Sequence, residues 1–171
     1  MNASKWFDRK FNFSFGTDEY TALYQRLQHG PDILASVLID MSDHVLAYQP
    51  AGKWSIKEHI GHLSILEPLW RTRMHDIVEK KPILTPTDLD NKATTEAGFN
   101  NYAITDLFQQ FVEERRKTLS LLGSIDIQEH QHTSLHPRLQ QPMRLIDIIY
   151  FTVEHDDHHT NVIQELIKTL K

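Results

Sequence analysis

The sequence contains no cysteine, which excludes disulfide bonds, a thiolate nucleophile and any metal site with a cysteine ligand. It also lacks an apolar run near the roughly 20 residues that a membrane helix requires, so we expect no membrane partner. The N-terminal residues mix charges with aromatic side chains and have no continuous apolar segment, unlike a secretory signal. These absences predict a soluble protein of the cytoplasm.

Several motifs and an excess of basic residues are also missing. The chain has no G-x-G-x-x-G, Walker loop or H-E-x-x-H, so we expect neither nucleotide-dependent nor zincin chemistry. Its 18 Lys and Arg face 23 Asp and Glu, and the net charge of −5 argues against a nucleic-acid partner. The densest basic cluster, Arg115, Arg116 and Lys117, is predicted to be a solvated helix face.

Helical periodicity dominates the rest of the chain. A capping box opens the second helix, where Ser55 precedes Glu58 by three residues. Gly30-Pro31 interrupts the first helical pattern, which predicts one kinked helix or two short collinear helices. The apolar spacing predicts helices over residues 17–41, 55–78, 105–122 and 144–170.

The predicted fold is all-α, a four-helix bundle in a single domain over residues 1–171. Residues 1–16 form an irregular aromatic extension that we expect to pack on the bundle or on a second subunit. Residues 82–101 make a long connection between the second and third helices. A connection of that length predicts either a crossover or a functional loop.

The abundance of histidine points to a metal site. The chain has 11 histidines, and without cysteine the available metal ligands are His, Asp and Glu. His155 and His159 are four residues apart in the last helix, so both imidazoles lie on one face and can share an ion. Roughly one such pair is expected by chance, and a second pair, His132 and His136, occurs in a predicted loop.

The helical wheel places His155 and His159 near the middle of the apolar face of the last helix, with His158 at its edge. Buried imidazoles need partners, so two interpretations stay open. The pair either binds a metal ion or consists of core histidines bonded to hydroxyl or carboxylate groups. On the second helix, the wheel favours His59 over His62 as a third ligand. His75 lies further down that helix and is predicted to be a surface residue.

Two segments resemble the DinB/YfiT-like superfamily of metalloenzymes. Residues 54–63, which read WSIKEHIGHL, and residues 155–159, which read HDDHH, carry the most specific likeness. Residues 135–138, 143–145 and 150–151 are also similar to the DinB-like branch, and the resemblance extends from Tyr20 to Leu170.

This resemblance implies a four-helix bundle that holds one divalent metal on His62, His155 and His159. It therefore selects His62 against the preference of the wheel and leaves His59 as a residue that lines the site. We expect zinc or nickel, with iron or manganese as alternatives. Glu58, Asp156 and Glu154 are candidates to orient the imidazoles by hydrogen bonding.

Three protein ligands leave a coordination position open, which is typical of catalytic metals. The resemblance implies a hydrolase or an S-transferase that uses a low-molecular-weight thiol such as bacillithiol, acting on a small-molecule substrate. It also implies a homodimer. The alternative is a non-catalytic metal-binding or dimerising bundle of the stress response. No catalytic side chain is assigned.

Three further features have simpler interpretations. Trp54 is predicted to be a core residue rather than a substrate contact, because large aromatic side chains mostly bury. His130, His132 and His136 are predicted to lie on the surface, with a place over the pocket mouth as the alternative. The aromatic N-terminal stretch is predicted to pack rather than to bind a ligand.

Overall fold

The computed structural model describes residues 6–128 and 130–170. Single turns of 3-10 helix span Trp6–Asp8, Thr17–Glu19 and Phe99–Asn101. Two short helices, α2 (Asp43–Leu46) and α4 (Lys92–Glu96), lie in connections. The long helices are α1 (Tyr20–Val37), α3 (Ile56–Val78), α5 (Ile104–Gly123) and α6 (Leu145–Leu170).

The four long helices form the predicted bundle. Helix α3 packs against α5 and α6, and α1 packs against the same two helices, so α1 and α3 occupy opposite corners. The second helix begins as predicted, because Ser55 Oγ accepts from Glu58 N and the Glu58 carboxylate accepts from Ser55 N. The predicted four-helix, all-α fold is confirmed.

Helix α1 runs through Gly30 and Pro31 without a break, so the interpretation as a single helix holds rather than two short ones. It ends at Val37, earlier than the pattern to Met41 predicted. The reason is a turn at Asp40, whose φ of 59° is left-handed and incompatible with continued α-helix. Ser42 then caps the separate helix α2.

The apolar core has two parts, with a polar layer between them. One part contains Trp70 and Met74 of α3 together with Ile149 of α6. The other contains Ile60 of α3 and Ile163 of α6. Between these parts, both helices carry buried polar side chains, which are His155 and His159 on α6 and His62, Ser64 and Glu67 on α3. The bundle therefore presents polar groups in its interior at one level.

The connection between α3 and α5 folds back over that level. Its helix α4 lies against α3, and the turn at Phe99 packs so closely on Gly61 that a β-carbon there would lie 2.5 Å from the Phe99 ring. A glycine at position 61 therefore permits this close approach. The connection therefore packs along α3, and α3 and α5, which it joins, are neighbouring helices of the bundle.

A small hairpin and the N-terminal segment complete the structure. Strand β1 (Ser134–Leu135) pairs antiparallel with β2 (Pro142–Met143), ahead of α6. Phe11 is buried and its ring packs against Trp6 and Phe151, as expected for the aromatic N-terminal stretch. No helix in residues 6–128 and 130–170 has the length and apolar character needed to cross a membrane.

Candidate metal centre

Three buried histidines from two helices meet in the interior of the bundle. His155 and His159 lie one turn apart on α6, and His62 faces them from α3. The Nε2 atom of His155 is 3.4 Å from Nε2 of His62 and 3.2 Å from Nε2 of His159. One ligand atom from each residue lies within 4.8 Å of the others. The structure thus brings together the histidines that the family resemblance selected.

The spacing of these nitrogen atoms fits one divalent metal ion. Histidine nitrogens bind zinc at about 2.0–2.1 Å, so two ligands of a tetrahedral ion stand about 3.3–3.4 Å apart. The separations of 3.2 and 3.4 Å are close to that value. Imidazole donors also suit nickel and iron. The residues present therefore fit a divalent ion and leave a coordination position for another ligand.

The outer nitrogen atoms of two of these rings have partners that fix their orientation. Nδ1 of His62 lies 2.9 Å from Oγ1 of Thr94, a residue of α4. Nδ1 of His159 lies 2.8 Å from Nδ1 of His59. Nδ1 of His155 is buried and has no hydrogen-bond partner in the described part of the chain. With Nδ1 held from outside, Nε2 points to the centre, as in known metal sites.

Burial keeps these imidazoles neutral. Desolvation, with a smaller effect from neighbouring histidines, lowers the pKa of His62 to about 3 and that of His59 to about 4. Burial also lowers the pKa of His155 and His159 well below the ordinary value of 6.5. A neutral imidazole keeps a lone pair free, so these groups can bind a cation at neutral pH without first losing protons.

The carboxylates proposed from the sequence as imidazole partners lie against other groups. The rings are held instead by the hydroxyl group of Thr94 and by His59, and reasoning that considered only carboxylates did not predict either partner. The carboxylate contacts are those of Glu58 with Ser55 N and Gln49 Nε2, of Glu154 with Arg9 and Arg26, and of Asp156 with Arg115.

A helical bundle with this histidine cluster matches a known family. The family model of the DinB superfamily matches residues 26–163, which is most of the chain. The chain belongs to the DinB superfamily.

A solved structure of similar fold is that of YfiT from Bacillus subtilis. Its TM-score is 0.79 at 22% sequence identity, and the match covers 95% of this chain and 93% of YfiT. YfiT is described as a probable metal-dependent hydrolase with an unusual four-helix bundle topology. A search of curated proteins found no match.

This DinB-superfamily chain buries a charged network beside its histidine cluster. Arg115 on α5 is 1% exposed and pairs with Glu67 on α3 and Asp156 on α6, each at 2.6 Å. The predicted solvated face is therefore wrong for Arg115, although Arg116 and Lys117 are exposed. Burial raises the pKa of Asp156 to about 7, against the opposing effect of Arg115. The network ties three helices of this DinB bundle together.

The histidine cluster lines one wall of a cavity of about 1010 Å³. The ring of Trp6, from the N-terminal segment, lies 5.0 Å from the His155 ring and 5.5 Å from the His158 ring. Trp54 is only partly buried and lines the cavity, 4.7 Å from the His62 ring, so it is not simply a core residue. The aromatic lining consists of Trp6, Phe7, Trp54, Trp70 and Phe151.

The prediction that His136 lies on the surface is wrong. His136 is 2% exposed and lines the cavity, and its Nε2 atom lies 3.2 Å from Nη1 of Arg73. The only sequence signal was its place in residues 135–138, part of the DinB resemblance. Arg73 and Thr94 carried no local signal, because only the tertiary fold brings them to the cavity.

Proposed function

We propose that this chain is a divalent-metal-dependent hydrolase that acts on a small-molecule substrate. His62, His155 and His159 would hold the ion, with zinc or nickel favoured and iron or manganese as alternatives. The observation that carries the proposal is the convergence of three Nε2 atoms, 3.2 and 3.4 Å apart, on the wall of a large cavity. YfiT, which shares the fold, is described as a probable metal-dependent hydrolase.

A divalent ion bound at this position supplies Lewis acidity, which lowers the pKa of a bound water or thiol and polarises a carbonyl group. The protein's own residues orient the ligand rings and line the cavity. Thr94 and His59 fix the rings of two ligands, and aromatic side chains line the cavity beside them. His158 lines the same cavity as a partly buried imidazole near the ligands. No catalytic side chain beyond the ligands is proposed.

A second candidate is an S-transferase that uses a low-molecular-weight thiol of the bacillithiol type. The size of the cavity favours including it. Small-molecule sites commonly enclose about 300–1,000 Å³, and a cavity of about 1010 Å³ has room for a thiol and an electrophile together. The same ion would then bind the sulfur of the thiol instead of water.

The decisive experiment compares metal content with turnover. Tag-free protein is analysed for bound metal, stripped with a chelator, and reconstituted separately with Zn, Ni, Fe and Mn. Each form is assayed with a panel of esters and amides, and with bacillithiol plus an electrophile. We expect one ion per chain and turnover that disappears on chelation and in His62→Ala.

The outcomes separate the candidates. Ester or amide turnover without a thiol supports the hydrolase, and thiol-dependent turnover supports the S-transferase. Stoichiometric metal without turnover in either arm would favour the non-catalytic metal-binding or dimerising bundle. Turnover that survives chelation would refute a metal-dependent mechanism altogether.

A further inference from the structure

Arg73 on α3 is a buried cation with unused hydrogen-bonding capacity. Its side chain is 2% exposed and lines the same cavity as the histidine cluster. Nε donates to the carbonyl of Thr85 at 2.9 Å, and Nη1 lies 3.2 Å from Nε2 of His136. Nη2 is buried and has no partner within residues 6–128 and 130–170. A guanidinium with an unfilled donor in the interior is costly unless a ligand completes it.

Arg138, in the turn between β1 and β2, is a second cation with a buried donor atom, although its side chain as a whole is only partly buried. Its Nη1 makes one long contact with the carbonyl of Phe7 at 3.5 Å. Its Nη2 is buried and, in the described part of the chain, unpartnered. The guanidinium lies 5.3 Å from the centre of the Phe7 ring and 5.9 Å from that of Phe151. Arg138 also lines the cavity.

His136 connects these two arginines. One of its nitrogens lies 3.2 Å from Arg73 Nη1, and the other lies 3.2 Å from the main-chain nitrogen of Arg138. Burial and the two nearby cations lower the pKa of His136 to about 3, so this imidazole adds no charge at neutral pH. Arg73 keeps its charge there, because burial lowers its pKa only to about 10.

Neither arginine pairs with a carboxylate in the part of the chain that the structure describes. The carboxylate that raises the pKa of Arg73 is that of Asp76, and it is already bonded to Lys81 and to the main-chain nitrogen of Thr85. The acids of the cavity wall also have other partners: Asp88 accepts from the main-chain nitrogens of Asp90 and Lys92, and Glu165 pairs with Lys168. Arg73 and Arg138 therefore line the cavity without a carboxylate paired to either of them among the described residues.

We infer that Arg73 and Arg138 form a seat for an oxyanionic group of the substrate, a carboxylate or a phosphate, at a distance from the metal centre. Guanidinium groups bind such oxyanions with strong, charge-assisted hydrogen bonds. An oxyanion bound here would give a buried Nη2 donor an acceptor and its guanidinium group a counterion. This inference rests on the proposed function for the position of the reacting group, although not for the anion seat itself.

The geometry also sets the shape of the substrate. His62 and Arg73 are eleven residues apart on α3, about three helical turns, so the two sites lie at different levels of the bundle. Trp70 lies between the two sites, with its ring 5.4 Å from the His155 ring and 5.5 Å from the Arg73 guanidinium. An elongated substrate would therefore run along Trp70, with its scissile or electrophilic group at the metal and its anionic group at the arginines.

Matched ligand probes test this inference by binding, without any need for turnover. Alkyl hydroxamates anchor at the metal of the loaded protein and carry a neutral, carboxylate or phosphate terminus on chains of several lengths. By calorimetry, we expect an anionic terminus to tighten binding about tenfold or more over the neutral one. Arg73→Met and Arg138→Gln should each remove that preference, so that the neutral and anionic probes bind the variant with equal affinity. The control is Lys53→Met, which removes an exposed cation of the same cavity and should retain the preference for the anionic probe.

A second arm uses metal-free protein with adipate, inorganic phosphate and neutral adipamide. Saturable binding of either anion that both arginine variants lose supports the seat even if the metal has no catalytic role, and the tighter anion identifies the class. Equal affinity of wild-type protein for neutral and anionic ligands in both arms would overturn the inference. So would a preference that survives in both variants. If the protein shows the anion preference but no turnover, the result counts against the proposed function and leaves the anion site supported.

Discussion

A histidine that binds a metal through Nε2 keeps its remaining proton on Nδ1, and that N–H needs an acceptor. For His159 the acceptor is Nδ1 of His59, at 2.8 Å. If His159 binds the ion as proposed, His59 must carry its own proton on Nε2. His59, which the helical wheel favoured as a ligand, would then orient the ligand His159 instead of binding the ion. Both His59 and His62 belong to the site, in different roles.

We predict that His59→Ala weakens metal affinity by about 10- to 100-fold, the usual cost of losing a partner that orients a ligand. The measurement is a competition titration against a chromophoric chelator. The control is His75→Ala, which changes an exposed histidine of the same helix and should leave the affinity unchanged. Equal affinities for the two variants would show that His59 does not hold His159 in place.

The ligands themselves give a stricter prediction. His155→Ala or His159→Ala should abolish stoichiometric metal binding, because two imidazoles alone cannot hold the ion tightly, and helical content should persist. His158→Ala is the matched control: this neighbour is only partly buried, and the three clustered histidines do not include it. Elemental analysis and circular dichroism report the two quantities. Unchanged metal content in both ligand variants would rule out the site, and a tenfold loss in His158→Ala would assign His158 instead.

At the scale of helices, one side chain joins all four of the long ones. Arg115 reaches from α5 to Glu67 on α3 and Asp156 on α6, and its Nη1 atom also donates to the carbonyl of Leu27 on α1 at 3.0 Å. We predict that Arg115→Met lowers the free energy of unfolding by about 3–5 kcal/mol, because two buried carboxylates lose their counterion. Urea denaturation measures this change.

The next residue provides the control for that prediction. Arg116→Met removes an exposed guanidinium that pairs only with Glu113 one turn away, so it should change stability by less than about 0.5 kcal/mol. A loss for Arg115→Met no larger than the loss for Arg116→Met would mean that the buried network contributes little to the bundle.

Local patterns explain which parts of the structure were predictable. The four helices and the pair His155 and His159 depend on spacing along one segment, and spacing is visible in a sequence. The burial of Arg115 and the place of His136 depend on partners 40 or more residues away, such as Glu67 and Arg73. Charge clusters and loop histidines are usually exposed, so pattern reasoning predicted solvent for both.

For the whole molecule, the histidines that are buried as neutral imidazoles determine how stability depends on pH. Burial lowers the pKa of seven histidines, and the change is large in five of them: to about 4 for His59, to about 3 for His62 and His136, and well below 6.5 for His155 and His159. Each of these groups binds a proton in the unfolded chain near pH 6.5 but not in the folded one. By linkage, the stability of the metal-free protein must fall as the pH drops below that value.

One buried acid acts in the opposite direction. The pKa of Asp156 is raised to about 7, so between its unfolded value of 3.8 and about pH 7 the folded state binds the extra proton. That stabilisation is present at low pH and is lost as the pH rises through 7. Because five histidines oppose a single carboxylate, the histidines determine the net slope.

We therefore predict that metal-free protein loses at least about 2 kcal/mol of unfolding free energy between pH 6.5 and 5. This minimum is the contribution of a single buried histidine, since one proton changes the free energy by about 1.4 kcal/mol per pH unit. Urea denaturation across that range measures the loss. His136→Gln should make the profile shallower by about one proton, since it removes a buried imidazole outside the ligand set. His75→Gln, at an exposed position, should leave the slope as it is. A flat profile in wild-type protein would mean that these imidazoles exchange protons freely with solvent, and the bundle interior would then be far more hydrated than its burial indicates.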